Sequence, residues 1–173
     1  MLRSQIDVLP EYYDRYINRV EDISIFDALQ KYGINYLMEY VERFEKLGDK
    51  VYAPGKWTVK EILQHLIDSE RVFSYRSLRF ARQDKTSLPG YEENDYVINA
   101  KVSRRNLDEL LSEFTLVRES TIALFDSFDR EMLHSRGVCF NKDISVLALG
   151  FTMVGHVVHH MQVLEERYFP LIK

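Results

Sequence analysis

Gly155-His156-Val157-Val158-His159-His160 lies near the start of the last long apolar segment, flanked by Phe151, Met153 and Val154 before it and Met161 and Leu164 after it. Three of the chain's five histidines fall within these few positions. The apolar residues recur at helical rather than alternating spacing, so the stretch reads as α-helix. A helix advances about 100° per residue, which assigns each side chain a face. With Met153 as zero, Val154, Val157, Met161, Leu164 and Tyr168 complete a stripe from roughly 0° to 100°. His160 falls at about 340° and His156 at about 300°, along one edge of that stripe. One turn apart, their imidazoles can converge on one ion, as helical H-x3-H pairs do. His159 falls at about 240°, beside Gln162 and Glu166 on the polar side. It reads as a surface histidine or a support for the other two.

Two neutral imidazoles seldom hold an ion firmly, and catalytic zinc sites usually offer three protein ligands. His65 is the only other histidine within a long apolar helix. With Thr58 as zero, Ile62, Leu66, Phe73 and Phe80 span about 40° to 80°, and His65 sits at about 340°. A lone histidine bordering an inward face is equally readable as a satisfied core residue, and periodicity alone does not choose. The same arithmetic turns Ser69 and Arg76 inward, one and three turns beyond His65. Polar groups facing a core need partners, so these two could line a pocket or make interhelix hydrogen bonds. Asp68, three residues after His65, and Glu92, Glu93 and Asp95 further on could accept a hydrogen bond from a ligand or act as general base. Asp68, Ser69 and Arg76 are the candidate catalytic residues.

Gly and Pro number only 7 and 4, and the remaining segments are helical in period. Pro10 predicts a short helix through about Val20. A first long helix is expected from Ser24 or Ile25 to about Leu47, interrupted by Gly33 and closed by Gly48. Thr58 with Glu61 is a capping box that starts the helix carrying His65, which reaches about Arg82. The pattern is lost from 84 to 102, with Pro89-Gly90 at the centre. That connection reads either as a flap over a site or as an ordered crossover. A third long helix runs from Ser103 or Asn106 to Phe128, and 129–142 reads as a loop with one turn. The last helix starts near Asp143 or Ser145 and ends before Pro170. Four long helices, one long connection and a short extra N-terminal helix predict an all-α four-helix bundle.

At 173 residues and net charge -4, with no compensating Lys/Arg block, the chain is expected to be one domain that does not bind nucleic acid. The lone Cys139 excludes an intramolecular disulfide framework and a Cys-rich zinc site, and nothing near it argues for an activated thiol. No apolar core marks the first residues as a signal peptide, and no uninterrupted apolar run reaches the roughly 18 to 20 residues of a membrane span. These features predict a soluble, cytoplasmic protein without a membrane partner. Paired Glu-x-x-His motifs and H-E-x-x-H are absent, which disfavours a di-iron bundle and a zincin protease.

Tyr52-Ala53-Pro54-Gly55-Lys56-Trp57-Thr58, His65, Asp68-Ser69-Glu70-Arg71, Tyr75-Arg76, Arg79-Phe80-Ala81-Arg82, Pro89-Gly90-Tyr91, the 155–160 stretch and Glu166-Arg167-Tyr168 together resemble the DinB-like superfamily in order and spacing. The likeness covers nearly the whole chain and is closest to the branch around the YfiT-type metal-dependent hydrolases. It implies a single 1–173 four-helix-bundle domain whose metal is bound by His65, His156 and His160, with no ligand missing. It further implies a divalent ion, zinc or nickel foremost, and a small-molecule substrate. Relatives include transferases and isomerases that use a low-molecular-weight thiol, and homodimers are common among them. An enzyme performing thiol-dependent transfer or hydrolysis is the function so implied. The alternative is a non-catalytic metal-binding or stress-response binding module without turnover, which would keep its partner after His65→Ala.

Overall fold

Residues 1–172 are described by a computed structural model. Helix α5, Val59–Ala81, begins at the expected capping box: the Thr58 amide donates to Glu61 Oε2 at 2.7 Å and the Glu61 amide to Thr58 Oγ1 at 3.3 Å. Helix α7, Leu107–Asp126, starts the same way, with Asn106 and Glu109 exchanging bonds of 2.9 and 3.0 Å. Helix α9, Val146–Val163, is capped by Ser145 Oγ, which accepts from the Ala148 amide at 3.2 Å. It runs on through a π-helical turn, Leu164–Tyr168, into a 3₁₀ turn, Phe169–Leu171, so Pro170 lies inside the last turn and not beyond the helix end as expected.

The first long leg is not one rod. It divides into α2 (Ile25–Lys31), α3 (Ile34–Met38) and α4 (Val41–Leu47), with breaks at Gly33 and Tyr40. At the first break, the carbonyls of Leu29 and Tyr32 accept from Arg118 Nη1 at 3.0 and 2.9 Å. A guanidinium from α7 thus satisfies groups that continued helix would have paired. A Cβ on Gly33 would lie 3.1 Å from the Gln30 carbonyl oxygen, so only glycine fits the turn without a shift.

The N-terminal helix, α1, is also shorter than expected, Asp14–Ile17. Tyr12, at φ 77°, stands in the left-handed region, which no right-handed helix from Pro10 can pass through. The 84–102 connection contains α6, Glu93–Ala100. The 129–142 segment holds more than one turn: α8 (Arg130–His134) is followed by a hairpin of β1 (Arg136–Cys139) and β2 (Lys142–Ser145). Arg136 pairs with Ser145 and Cys139 with Lys142. The two turn residues, Phe140 and Asn141, have φ of 51° and 58°, as a primed hairpin turn requires. Leu88 pins the long connection to this hairpin, donating to the Val138 carbonyl at 2.9 Å and accepting from the Phe140 amide at 3.1 Å.

The legs form a square in which α5 packs on α7 and α9, and α2 packs on the same two. The all-α four-helix bundle is therefore the architecture, with a small hairpin added. Helix α1 lies across α9 at Gly155, where a Cβ would come within 2.0 Å of the Tyr16 carbonyl oxygen. Every residue of α9 from Val146 to Val158 is buried, beyond the one-sided stripe of the sequence. By length and composition Val146–Leu171 could cross a bilayer, yet 78% of its apolar window is buried among the other elements, as in a core helix. The core divides into two apolar clusters, one around Phe80, Phe125 and Phe151, the other around Leu66, Phe114 and Met161. Helix α5 carries polar groups between them on two sides. Glu70 faces α7 in a buried pair with Arg118, and His65 faces α9.

Candidate metal centre

The capping box fixes where α5 starts, and two turns later His65 points at α9. His65 Nε2 lies 3.1 Å from His156 Nε2, which lies 3.1 Å from His160 Nε2. All three side chains offer a nitrogen within 4.8 Å of the others. Their ring planes stand 69° to 82° apart, so the rings meet edge-on like blades around one point. Trp57, just before the cap, closes one side with its ring 4.8 Å from that of His65. Tyr16 closes another at 5.1 Å from His156, a contact that the missing side chain of Gly155 makes room for.

The donor set suits a divalent cation. Burial pushes the His65 imidazole down to about 4, with the nearby His159 adding to the shift. Burial, followed by His160 and His65, holds His156 well below its ordinary range, and burial followed by His65 does the same for His160. All three are neutral at pH 7 and keep a lone pair. His156 Nε2 has only one and cannot serve two neighbours at 3.1 Å as a good hydrogen-bond acceptor. A cation at the common point resolves this. With metal–nitrogen bonds of about 2.0 to 2.1 Å, nitrogens lie about 2.9 Å apart at right angles and about 3.4 Å apart in a tetrahedron. The two spacings to His156 fall between these values.

A sequence model of the DinB superfamily matches residues 34–164, three quarters of the chain. The chain belongs to the DinB superfamily. Among solved structures, YfiT from Bacillus subtilis is similar at a TM-score of 0.60 and 17% identity, over 90% of this chain and 87% of that one. It is described as a probable metal-dependent hydrolase with an unusual four-helix bundle topology. Among curated proteins, none matches this sequence. The DinB superfamily assignment and the bundle agree with what the sequence motifs imply.

In this DinB superfamily bundle the trio forms the floor of a cleft of about 200 Å³. Ser69 and Arg76 line it, as their helical positions suggest. Ser69 Oγ lies 2.8 Å from the Tyr91 hydroxyl, and Arg76 Nη2 donates to the Pro89 carbonyl at 2.8 Å. Asp68 does not line the cleft. It accepts from Gln64 at 3.0 Å and pairs with Arg71 at 3.7 Å on the side of α5 that faces Glu113, and burial raises its pKa. Of the later carboxylates, Glu93 reaches the cleft mouth, whereas Glu92 caps α6. The 84–102 connection thus forms one wall of the cleft, contributing Gly90, Tyr91 and Glu93. His159 stands half-buried beside the trio, 5.1 Å from the His160 ring, and lines the cleft without joining the cluster. Cys139 is buried and its thiol pushed up by that burial, the condition of an inert cysteine.

Sequence reading missed the aromatic walls. Tyr12, Tyr13, Tyr16 and Phe140 line the cleft, and the sequence patterns assign none of them a place in a site. Tyr12 and Phe140, 5.7 Å apart, both carry bulky side chains at positive φ. Such backbone costs on the order of 1–3 kcal/mol per residue and gathers at ligand sites. The Asn that follows Phe140 is the one sequence signal for a left-handed turn there.

Proposed function

We propose that this DinB superfamily protein is a metal-dependent enzyme, with His65, His156 and His160 holding one divalent ion, zinc or nickel. The observation that carries the reading is the convergence of three Nε2 atoms on the floor of an open cleft. Three neutral ligands leave an ion's charge uncompensated and positions open to a substrate, the layout of a catalytic rather than a structural site. When bound, such an ion supplies Lewis acidity and lowers the pKa of a coordinated water or thiol toward neutrality.

The chain's own residues do the rest. Helices α5 and α9 hold the imidazoles in place, so little reorganisation accompanies loading. Trp57 and Tyr16 keep bulk water from two sides of the trio. Tyr91, whose phenol is raised by burial, stays protonated at neutral pH; with Ser69 it offers a hydroxyl pair able to donate to a developing negative charge on the substrate. The reaction class is attack of water or a small thiol on a small electrophile that a cleft of about 200 Å³ can admit.

A panel of small esters, amides and alkyl or epoxide electrophiles, each with and without a low-molecular-weight thiol, tests this. Turnover by the zinc- or nickel-loaded protein, lost with a chelator and restored by the ion, is the expected result. Dependence on added thiol separates transfer from hydrolysis. A protein that binds the ion and a small-molecule ligand, keeps that ligand after His65→Ala and turns over nothing would be a binding module instead.

A further inference from the structure

Two arginines are buried in this fold, and only one has its charge matched. Arg118 is 3% exposed and spends its guanidinium on Glu70, at 2.8 and 2.7 Å, and on two carbonyls. Arg76 is 4% exposed and makes one hydrogen bond, to the neutral carbonyl of Pro89. None of the ion pairs among the described residues includes it. The acidic side chains nearest it in kind, the Tyr13 phenol and the Cys139 thiol, are held protonated by burial and provide no counter-charge at neutral pH. Glu93 stands exposed at the cleft mouth without pairing. A buried cation without an anion is costly, and one carbonyl could be satisfied by an uncharged amide. The charge therefore answers to something that enters the cleft.

We propose that Arg76 anchors the carboxylate of the substrate, and that the three-histidine centre meets the other end of the same molecule. Side chains on a helix lean toward its N-terminus, which for α5 is the direction of His65. The Arg76 guanidinium carbon lies 5.7 Å from the Phe73 ring centre, which lies 6.3 Å from that of His156. The Arg76 guanidinium and the His156 ring are thus separated by no more than about 12 Å, and the Phe73 ring neighbours both. Tyr13 stands edge-on to Phe73 at 6.3 Å and extends the apolar wall. A planar fork presents paired donors to a carboxylate, and Arg76 commits only one of five N–H groups to the protein. The ligand class is a small monocarboxylate with an aromatic or apolar body.

The role of the far end rests on the metal-enzyme reading, so the test uses metal-free protein, in which a carboxylate has no ion to coordinate. Trp57, the only tryptophan, lines the cleft and reports binding by its fluorescence. 3-Phenylpropionate and its neutral isostere 3-phenylpropionamide are titrated in parallel. Wild type is expected to prefer the acid by at least about tenfold, the size of a charge-assisted pair. Arg76→Gln should bring the two to parity, and Arg82→Gln, at an exposed arginine just past the end of the same helix and outside the cleft, should keep the preference. Equal binding of acid and amide by wild type, a preference that survives Arg76→Gln, or one lost in Arg82→Gln overturns the proposal. Should Arg76→Gln not fold, Arg76→Lys, which keeps the charge but not the fork, should show a reduced preference; an unchanged one overturns it. A wild type that takes up no metal yet shows an Arg76-dependent preference would sink the metal reading alone.

Discussion

Arg118→Met removes the group that ties α7 to both α5 and the α2–α3 break. In wild type it makes four hydrogen bonds of 2.7 to 3.0 Å, two to Glu70 and one each to the carbonyls of Leu29 and Tyr32. The variant leaves a carboxylate at 2% exposure without its cation and two carbonyls without donors. Breaking a buried pair from one side costs about 3–5 kcal/mol, because the stranded charge keeps its desolvation penalty. At a urea m-value of about 2 kcal/mol/M the unfolding midpoint should fall by about 2 M. Adding Glu70→Gln neutralises the stranded charge and should restore at least about 1 kcal/mol, while the two carbonyls remain unpaired. Far-UV circular dichroism in urea at pH 7 measures both variants, and amide exchange at 33–39 should quicken in each. A single-variant loss under about 1 kcal/mol, or a double variant no better than the single, would refute the argument that this pair holds the broken leg in place.

Gly155→Ala places a Cβ 2.0 Å from the Tyr16 carbonyl oxygen, so α1 must move off α9. The expected loss is about 2–3 kcal/mol by thermal melting, together with weaker metal binding as Tyr16 leaves His156; an unchanged melting temperature would contradict the close crossing. Acid should destabilise the metal-free protein. The folded His65 titrates at about 4 against an ordinary 6.5, so between those values the unfolded chain takes up a proton the folded one refuses. Stability is then full above pH 6.5 and declines as pH falls toward 4, by up to about 3 kcal/mol for this group alone. His156 and His160 shift in the same direction, and His65→Gln should flatten the slope measured by urea unfolding from pH 7 to 5. A profile flat over that range in the chelated wild type would count against burial as the cause.

The elements that read correctly from sequence carry their information locally. Thr58 with Glu61 and Asn106 with Glu109 start α5 and α7 through bonds three residues apart, and the i, i+4 spacing of His156 and His160 makes them neighbours whatever surrounds the helix. His65, Ser69 and Arg76 were legible as one inward face for the same reason. The misread segments are decided at a distance. The break in the first leg depends on Arg118, more than eighty residues away. Tyr12 and Phe140 hold positive φ that their residue types do not advertise, so both the shortened α1 and the hairpin lacked the Asn-Gly or Asp-Gly signature of a tight turn. Asp68 looked available beside His65, but it sits about 60° round α5 on the side away from Ser69, where Gln64 and Arg71 take it up. The cleft itself is assembled from α1, α5, the long connection, the hairpin and α9, and only packing brings those together.

The central claim is that two histidines from α9 and one from α5 hold a single ion. Metal analysis of purified wild type and of His65→Ala, His156→Ala, His160→Ala and His159→Ala, each loaded with zinc or nickel and desalted, tests it directly. Stoichiometric metal in wild type and His159→Ala, with loss in the other three, is the predicted result. Full retention of metal by His156→Ala, whose Nε2 lies 3.1 Å from both partners, would contradict the centre as assigned.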